Sequence, residues 1–280
     1  MAVRVAEKVG GDVVSVDSMQ VYRGMDIGTA KPTIPERRAV PHHLIDIADP
    51  EEVFTAAEFR RRGRDVMRDA DRPLVIAGGS GLHFRALVDP MNFAPSDPVE
   101  RKELEARADD DLVAELVAAD PGSAEHVDLS NRRRVIRAVE ILRLTGETPS
   151  SRAQTAEAER LRRYDPEVEF EAVGLDPDDA LDDRIDRRLE EMRRGGLVEE
   201  VHGLRGRLGR TARAAVGYRE VLSHLEGKVG LDEAFQDAAR STKRLARRQR
   251  TWFQRDPRIR WIPWIEDADR RAERALEVLG

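Results

Sequence analysis

The first residues that could do chemistry are the segment Asp17-Ser18-Met19-Gln20, which directly follows the run Asp12–Val16. A short β-branched run of this kind predicts a buried strand. Ligands bind at the carboxyl ends of strands in open parallel sheets, and a carboxylate there can serve as a general base. Because Asp-Ser is also a common turn pair, the residues alone leave two interpretations of Asp17 equally open, a general base or a turn cap.

Two glycine-containing segments could bind an anion. The segment Gly78-Gly79-Ser80-Gly81 follows a second strand-like run, Pro73–Ala77, and backbone N–H groups at the start of a helix attract anions. Glycine turns also occur there for steric reasons alone, so this evidence is weak. The segment Gly28-Thr29-Ala30-Lys31 resembles half a phosphate loop, but the chain has no Gly-x-x-x-x-Gly-Lys-Ser/Thr spacing and therefore no Walker A motif.

A cluster of arginines opens a predicted helix after Ser130 and Asn131, either of which is a suitable N-cap. Arg133 and Arg137 are four residues apart and share a helix face with Arg134, so the three could present guanidinium groups to phosphates. A solvated basic face is the alternative, and it is the more common role of an isolated arginine cluster.

The last long predicted helix is strongly basic inside an acidic protein. Asp256 is the only acidic residue between Arg240 and Arg258, and Trp252 and Phe253 lie among the cations. Clustered cations favour nucleic-acid binding through counterion release, whatever the net charge of the chain. The alternative is that the acidic stretch 176–186 pairs with this helix, and we favour the nucleic-acid interpretation.

The elements that must position these residues belong to a parallel α/β fold. Strand, glycine loop and helix succeed one another over the first 90 residues or so, as in a doubly wound sheet. From Pro98 to about Tyr164 the pattern is helical and charged, which predicts a helical insertion. Phe170–Leu175 reads again as a strand, and three helical stretches follow between Pro177 and Asp256.

Composition excludes several classes of protein. The chain has 280 residues, 48 Lys and Arg against 54 Asp and Glu, a net charge of −6, and 40% hydrophobic residues, so it can bury a core. Without cysteine it has no disulfide, iron–sulfur or thiolate zinc site. Its apolar runs are far shorter than the roughly 20 residues of a membrane span, and no signal peptide precedes them. We expect a cytoplasmic protein that does not contact a membrane.

Taken together, several ordered segments resemble the bacterial tRNA dimethylallyltransferase family. The resemblance runs from Met1 to about Trp261 and rests on residues 17–33, 41–46, 78–84, 133–140, 216–218 and 244–252. It implies transfer of a dimethylallyl group from dimethylallyl diphosphate to the exocyclic amine of the adenosine 3′-adjacent to the anticodon of tRNA. It also implies a P-loop-type parallel sheet with a helical insertion, and Mg²⁺ as cofactor. We expect a monomer that binds the anticodon stem-loop, with borders at 1–97, 98–165 and 166–280.

The resemblance also implies roles for individual residues. Asp17 would be the general base, and Arg213 a further catalytic residue. Thr29 and Lys31 would contact the diphosphate. Contacts to tRNA would come from residues in several segments, namely Asp17, Ser18, Met19, Gln20, Ser80, Arg101, Arg133, Arg134, Val135, Ile136, Arg137, Arg244 and Arg248.

The sequence departs from the family pattern in three places. The family begins with a strand and a Gly-Pro-Thr-x-x-Gly-Lys-Ser/Thr loop that holds the diphosphate, and this sequence starts just after that loop. Ala214 stands where the family has Arg or Gln, with Arg213 one position earlier, and His83 replaces a usual Tyr. The first departure leaves an alternative open, a tRNA-binding protein with impaired catalysis. A P-loop-type small-molecule kinase ranks last, because no Walker A motif is present.

Overall fold

The computed structural model describes residues Met1 to Gly280, and the chain forms two compact units. The first, the α/β unit, comprises Met1–Leu87 and Phe170–Gly280, and the second, the helical unit, comprises Val88–Glu169. The sequence predicts these borders at 97/98 and 165/166. In the structure the helical unit starts earlier and ends later, because the Val88 carbonyl accepts hydrogen bonds from the backbone N–H groups of Glu167 and Val168.

Five parallel strands build two sheets in the α/β unit. They are β1 (Asp12–Val16), β2 (His42–His43), β3 (Leu74–Gly78), β4 (Ala172–Asp176) and β5 (Ile259–Pro263). The first sheet has the order β2-β1-β3, with Val14 paired to His43 on one side and to Ile76 on the other. The second consists of β4 and β5, with Gly174 opposite Trp261. The α/β class with parallel strands and a helical insertion is confirmed.

Helices make up most of the rest of the chain. They are α1 (Ala2–Val9), α2 (Ile34–Ala39), α3 (Ala56–Asp69), α4 (Gly81–Val88), α5 (Pro98–Glu105), α6 (Asp109–Ala119), α7 (Arg132–Thr145), α8 (Pro149–Ala153), α9 (Ala156–Arg162), α10 (Leu181–Arg194), α11 (Leu197–Leu204), α12 (Arg210–Arg213), α13 (Tyr218–Leu225), α14 (Leu231–Phe253) and α15 (Ala268–Leu279). None combines the length and the apolar composition that a bilayer crossing requires.

The core of the α/β unit forms where α1 and α15 cover the strands. Val13, Val14 and Val16 of β1 are buried, as the β-branched run predicts. Val5 of α1 packs with Ile262 of β5 and with the small residues of α15. Neither β5 nor α15 is among the elements predicted from the sequence. The Ile-Arg-Trp-Ile-Pro run of β5 is short and only partly apolar, so it does not stand out as a strand.

The helical unit has a core of its own. Leu104, Leu112 and Leu116 pack against Val135 and Val139 of α7. The side chain of Asn131 caps α7 by accepting a hydrogen bond from the backbone N–H of Arg134, as the sequence predicts. No strand occurs between Pro98 and Tyr164, in agreement with the predicted helical insertion.

Between β4 and β5 the chain contains more helices than the three predicted stretches. Gly217, at a φ of 92°, separates α12 from α13, and this left-handed conformation favours glycine. Gly227, at a φ of 74°, ends the turn after α13 as predicted. The segment is therefore divided into five helices, of which α14 is the longest.

Candidate active site

Asp17 lies at the carboxyl end of β1, where the sequence predicts it. Its Oδ1 accepts hydrogen bonds from the backbone N–H groups of Met19 at 2.7 Å and Gln20 at 3.2 Å. Asp17 is therefore a turn cap, as one of the two interpretations states. Its Oδ2 makes no hydrogen bond within the chain and remains available to accept a proton, so the capping role fixes the carboxylate without consuming it.

A cleft of about 380 Å³ opens beside this carboxylate. Its lining includes Asp17 after the end of β1 and Gly78 at the end of β3, together with Gln20 and Lys31. The N-terminal residues 1–3 also line it. The cleft thus reaches the carboxyl edge of the parallel sheet, the place where open α/β sheets bind ligands.

Ser80 and His83 form a hydrogen-bonded pair near the same strand ends. Ser80 Oγ lies 2.7 Å from His83 Nδ1, and the Ser80 N–H donates to the carbonyl of Val16. The His83 ring packs edge-on against Phe59 at a centroid distance of 4.6 Å. Burial lowers the pKa of His83, and the charge of Asp17 opposes that shift only in part. His83 is therefore neutral at neutral pH.

The side chain of Gln20 joins the Asp17 turn to the loop that follows. Its Oε1 accepts from Ser15 Oγ at 2.8 Å, and its Nε2 donates to the carbonyls of Thr29 at 3.1 Å and Ala30 at 3.4 Å. Ala30 has a left-handed backbone with a φ of 48°, which is strained for a residue with a Cβ atom. The Gln20 bonds help to hold this conformation.

Thr29 and Lys31, predicted to contact the diphosphate, are occupied by partners within the chain. Thr29 Oγ1 donates to the Met25 carbonyl at 2.5 Å. The buried Lys31 Nζ donates to the Tyr22 carbonyl at 2.5 Å, to Asp26 at 2.8 Å and to Asp46 at 2.6 Å. An ammonium has three N–H donors, so a diphosphate would have to replace one of these bonds. Their contact with diphosphate stays a prediction.

Asp46 completes the surroundings of that lysine. Burial raises the pKa of Asp46, but hydrogen bonds from Lys31 and Arg37 outweigh burial and hold the pKa below its usual value. The Arg37 bond to Asp46 Oδ2 measures 2.6 Å. Lys31 is thus held by a carboxylate that stays ionised, which is the arrangement of a structural buried lysine.

The glycine loop before α4 has a steric explanation. A Cβ atom at Gly79 would lie 2.5 Å from Nε2 of Gln249, and one at Gly81 would lie 1.9 Å from Nε1 of Trp252. Helix α14 therefore packs directly on the backbone of this loop. The contact with the Trp252 ring explains a glycine at position 81, whereas the Gln249 amide is the end of a flexible side chain that could move aside for a Cβ atom at position 79.

Arg213, the other residue with a predicted catalytic role, is the last residue of α12. Its guanidinium forms an ion pair with Glu226, which also binds Lys228 at 2.7 Å. Arg213 is not among the residues that line the cleft. Its predicted catalytic role stays a prediction.

In the helical unit the predicted tRNA-contacting residues fall into two groups. Arg133 and Arg134 are exposed, whereas Val135 and Ile136 are buried in the core of the unit. Arg137 donates to the carbonyls of Ala94 at 2.6 Å and Pro95 at 2.8 Å and to the carboxylate of Glu140 at 2.6 Å. Arg101 also pairs with Glu140. Contact of this segment with tRNA stays a prediction. Arg133 and Arg134 are the residues of the segment whose side chains are exposed to a ligand.

The basic helix α14 is only partly neutralised by the acidic stretch 176–186. Lys243 forms an ion pair with Asp186 at 2.8 Å, and Arg250 with Asp176 at 3.0 Å. Arg244 and Arg248 are exposed, and Arg244 donates only to Ser241 Oγ. Intramolecular pairing therefore accounts for some of these cations and leaves others facing solvent.

The chain does not form a preassembled metal site. No group of three or more His, Asp and Glu side chains lies close enough together to hold an ion. Asp17 and Glu36 of α2 are the two carboxylates that line the cleft. Because Mg²⁺ commonly binds through one or two carboxylates and substrate phosphates, we assign it no set of protein ligands.

Sequence reasoning missed Glu200 and Tyr218 as residues of the site region. The carboxylate of Glu200 accepts hydrogen bonds from three backbone N–H groups of the Asp26–Gly28 loop and from the Tyr218 hydroxyl. The segment Val216-Gly217-Tyr218 contributed to the resemblance, but nothing in its spacing indicates that Tyr218 contacts a glutamate on another helix. Glu200 lies in a charged helix, where its neighbours in sequence give it no distinguishing signal.

Comparisons with known proteins agree on one family. The model of the family described as IPP transferase matches residues 20–256. A tRNA dimethylallyltransferase of Bifidobacterium animalis subsp. lactis is 45% identical over 266 residues, which is 92% of this chain and 75% of the relative. That of Streptomyces coelicolor is 43% identical over 275 residues, or 94% of this chain and 85% of the relative.

A solved structure gives the same result for the fold. The crystal structure of the full-length tRNA isopentenylpyrophosphate transferase of Bacillus halodurans matches with a TM-score of 0.71 and 36% identity. The match covers 99% of this chain and 89% of that one. The parallel sheet, the helical insertion and the cleft beside Asp17 thus occur in a chain that, by sequence and by fold, belongs to the IPP transferase family.

Proposed function

We propose that this chain transfers a dimethylallyl group from dimethylallyl diphosphate to the exocyclic amine of the adenosine 3′-adjacent to the anticodon of tRNA. The observation that carries the proposal is the state of Asp17. Its Oδ1 is fixed by two backbone N–H groups while its Oδ2 is unpartnered beside an open cleft. A base that must reach one particular proton needs both properties, a fixed position and a vacant lone pair.

The reaction requires a proton acceptor because an adenine amine is a poor nucleophile. As the nitrogen forms a bond to the allylic carbon, the bond from that carbon to oxygen breaks and its electron pair leaves with the diphosphate. The amine proton passes to Asp17 Oδ2. Removing this proton as the new bond forms prevents positive charge from accumulating on nitrogen, which is the gain from general base catalysis.

The segment Asp17–Gln20 would hold the adenosine after it leaves the base stack. Enzymes that modify a base inside an RNA loop extrude that base into a pocket and contact its Watson–Crick edge. Ser18 and Met19 are partly exposed next to Asp17, and in this proposal they contact the nucleobase that enters the cleft. The hydroxyl of Ser80 lies beside the same strand ends and is a further candidate contact.

Exposed arginines would bind the phosphates of the anticodon stem-loop. Arg133 and Arg134 on α7 and Arg244 and Arg248 on α14 are the exposed members of the two basic segments. Phosphate contacts position an RNA without reading its sequence. We also propose a monomer located in the cytoplasm, where tRNA is found. Mg²⁺ would be carried on the diphosphate and would neutralise charge on the leaving group; no step here is assigned to it.

Transfer of radiolabelled dimethylallyl from its diphosphate to an anticodon stem-loop tests the proposal directly. We expect label in RNA that carries adenosine at the position 3′ of the anticodon, and none in an otherwise identical RNA with purine riboside there, because purine riboside lacks the exocyclic amine. Binding of both RNAs without any transfer would contradict the proposal and support the alternative of a tRNA-binding protein with impaired catalysis. Neither the fold nor the similar proteins favour that alternative.

A further inference from the structure

We propose that Glu200 is a positioning residue for the transfer reaction, because its carboxylate fixes the Asp26–Ala30 loop and that loop holds Gln20 and the Asp17 turn. The inference rests on the proposed function. Glu200 itself lies on α11, and it acts on the cleft only through the loop.

The Glu200 carboxylate has four hydrogen-bond donors around it. Oε2 accepts from the backbone N–H groups of Asp26 at 3.0 Å and Ile27 at 2.8 Å, and Oε1 accepts from that of Gly28 at 3.1 Å. The hydroxyl of Tyr218 donates to Oε1 as well. Successive backbone N–H groups that converge in this way form an anion-binding concavity. In this protein a side chain of the chain itself supplies the anion.

Tyr218 is a stable donor to that carboxylate. Its ring is fully buried, and burial together with the neighbouring charge of Glu200 raises the pKa of the phenol well above its ordinary value. The hydroxyl therefore stays protonated. A Cβ atom at Gly28 would lie 2.4 Å from the Tyr218 ring, so the loop, the tyrosine and the glutamate are packed as one assembly.

The loop transmits this order to the cleft. Directly after the clamped N–H groups, the carbonyls of Thr29 and Ala30 accept hydrogen bonds from Gln20 Nε2. Gln20 in turn belongs to the turn that Asp17 caps, since its own N–H donates to Asp17 Oδ1. Loosening the loop removes the partners of the Gln20 amide, and the Asp17 carboxylate then loses part of its fixed geometry.

The test compares Glu200→Gln with the neighbouring control Glu199→Gln. An amide replaces one oxygen by an NH₂ group, so in either orientation two of the four donors lose their acceptor. Glu199 is exposed on the same helix and makes none of these bonds. We expect kcat of Glu200→Gln to fall roughly 10- to 100-fold, as for remote changes that misplace a catalytic group, with KM for tRNA changed less than about threefold. Glu199→Gln should match the wild type.

A double-mutant cycle with Gln20→Ala separates positioning from general destabilisation. If Glu200 acts through Gln20, the double variant should have about the kcat of the slower single variant, because coupled residues are not additive. Losses that multiply would overturn the inference. Tyr218→Phe removes one donor to Glu200 and keeps the three backbone bonds, so it should lower kcat less than Glu200→Gln does. If Glu200→Gln does not fold, Tyr218→Phe takes its place in the cycle.

Amide hydrogen exchange tests the linkage without turnover. In Glu200→Gln we expect faster exchange at Asp26, Ile27 and Gly28 and also at Met19 and Gln20, relative to the wild type and to Glu199→Gln. Faster exchange confined to the loop would overturn the inference. A wild-type chain that transfers no dimethylallyl group would contradict the proposed function instead, so the two failures are distinguishable.

Discussion

At the scale of single residues, the site depends on side chains that have two roles at once. Asp17 caps a turn with one oxygen and leaves the other oxygen beside the cleft. His83 fills a buried position against Phe59 and also binds Ser80. The hydrogen bonds to Asp17 Oδ1 orient the carboxylate, and the contact with His83 orients the hydroxyl of Ser80. The two interpretations of Asp17, cap and base, are therefore compatible.

Asp17→Asn tests the role of Asp17 as a general base separately from its role as a turn cap. Asparagine keeps an oxygen that can cap the turn but cannot accept the amine proton, so we expect kcat to fall by roughly 10² to 10⁴ and tRNA affinity to change little. Single-turnover transfer and equilibrium tRNA binding measure the two effects. Asp71→Asn, at an exposed acid outside the cleft, is the control. Equal losses of binding and turnover would show that Asp17 mainly holds the adenine of the tRNA in place.

His83 should make the stability of the fold sensitive to acid. Its pKa in the folded chain lies below the ordinary value of 6.5, so the unfolded state binds more protons than the folded state as pH falls below about 6.5. Stability is fully present above that pH and decreases as pH falls toward the lowered pKa. Ser80 is hydrogen-bonded to the ring, and Asp17 is the charged group that acts on its pKa.

The measurement is the free energy of unfolding in urea between pH 7.5 and pH 5, for the wild type and for His83→Gln. We expect a smaller decrease in the variant, because glutamine does not titrate. His126→Gln, in the helical unit, is the matched control for replacing a histidine by glutamine elsewhere in the chain. Identical curves for the wild type and His83→Gln would contradict the assignment of a buried, neutral His83.

At the scale of elements, each basic segment contains cations that are bonded within the chain and cations that face solvent. On α7, Arg137 binds two carbonyls and the fully buried Glu140, whereas Arg134 is exposed. On α14, Lys243 and Arg250 pair with the stretch 176–186, whereas the exposed Arg248 forms no ion pair. A helix can therefore be basic as a whole and still offer only some of its charges to a ligand.

Arg137→Ala should destabilise the protein. The change removes one partner of the buried Glu140 carboxylate and leaves two carbonyls without their donor, which typically costs about 1–3 kcal/mol. Arg101 keeps Glu140 partly compensated. Urea unfolding measures the difference, and Arg134→Ala should change stability by less than about 0.5 kcal/mol. If Arg137→Ala reduced tRNA binding with unchanged stability, the arginine would serve the ligand rather than the fold.

At the scale of the whole molecule, an acidic chain must bind a polyanion. The net charge of −6 would repel tRNA if the charges were spread evenly. Local clusters decide the outcome, because each phosphate contact releases condensed counterions irrespective of the total charge. We expect tRNA affinity to depend on the exposed arginines and to decrease steeply with salt.

Arg248→Gln should weaken tRNA binding and reduce the slope of log affinity against log salt by about 0.7–0.9, the contribution of one phosphate contact. Lys243→Gln is the matched control on the same helix, because Lys243 is already paired with Asp186. We expect the control to leave the slope nearly unchanged. Equal slopes for Arg248→Gln and the wild type would exclude a phosphate contact at Arg248.

Sequence patterns by themselves determined the elements near the site and the place of the candidate base. The run Asp12–Val16 matches β1, and Asp17 stands at its end, because alternation, β-branching and turn chemistry act between neighbours in sequence. The helical insertion and the basic helix α14 follow from the same local signals. The strand β5 escaped them because it is short and only partly apolar.

Only the tertiary structure decided which side chains act together. Glu200 reaches the N–H group of Ile27 across 173 residues of sequence, and Arg250 meets Asp176 from another element. His83 is neutral because the packed fold excludes water from its ring. Such pairings depend on how segments that are distant in sequence pack together in space. The residues next to a side chain in sequence do not indicate which distant residue it contacts.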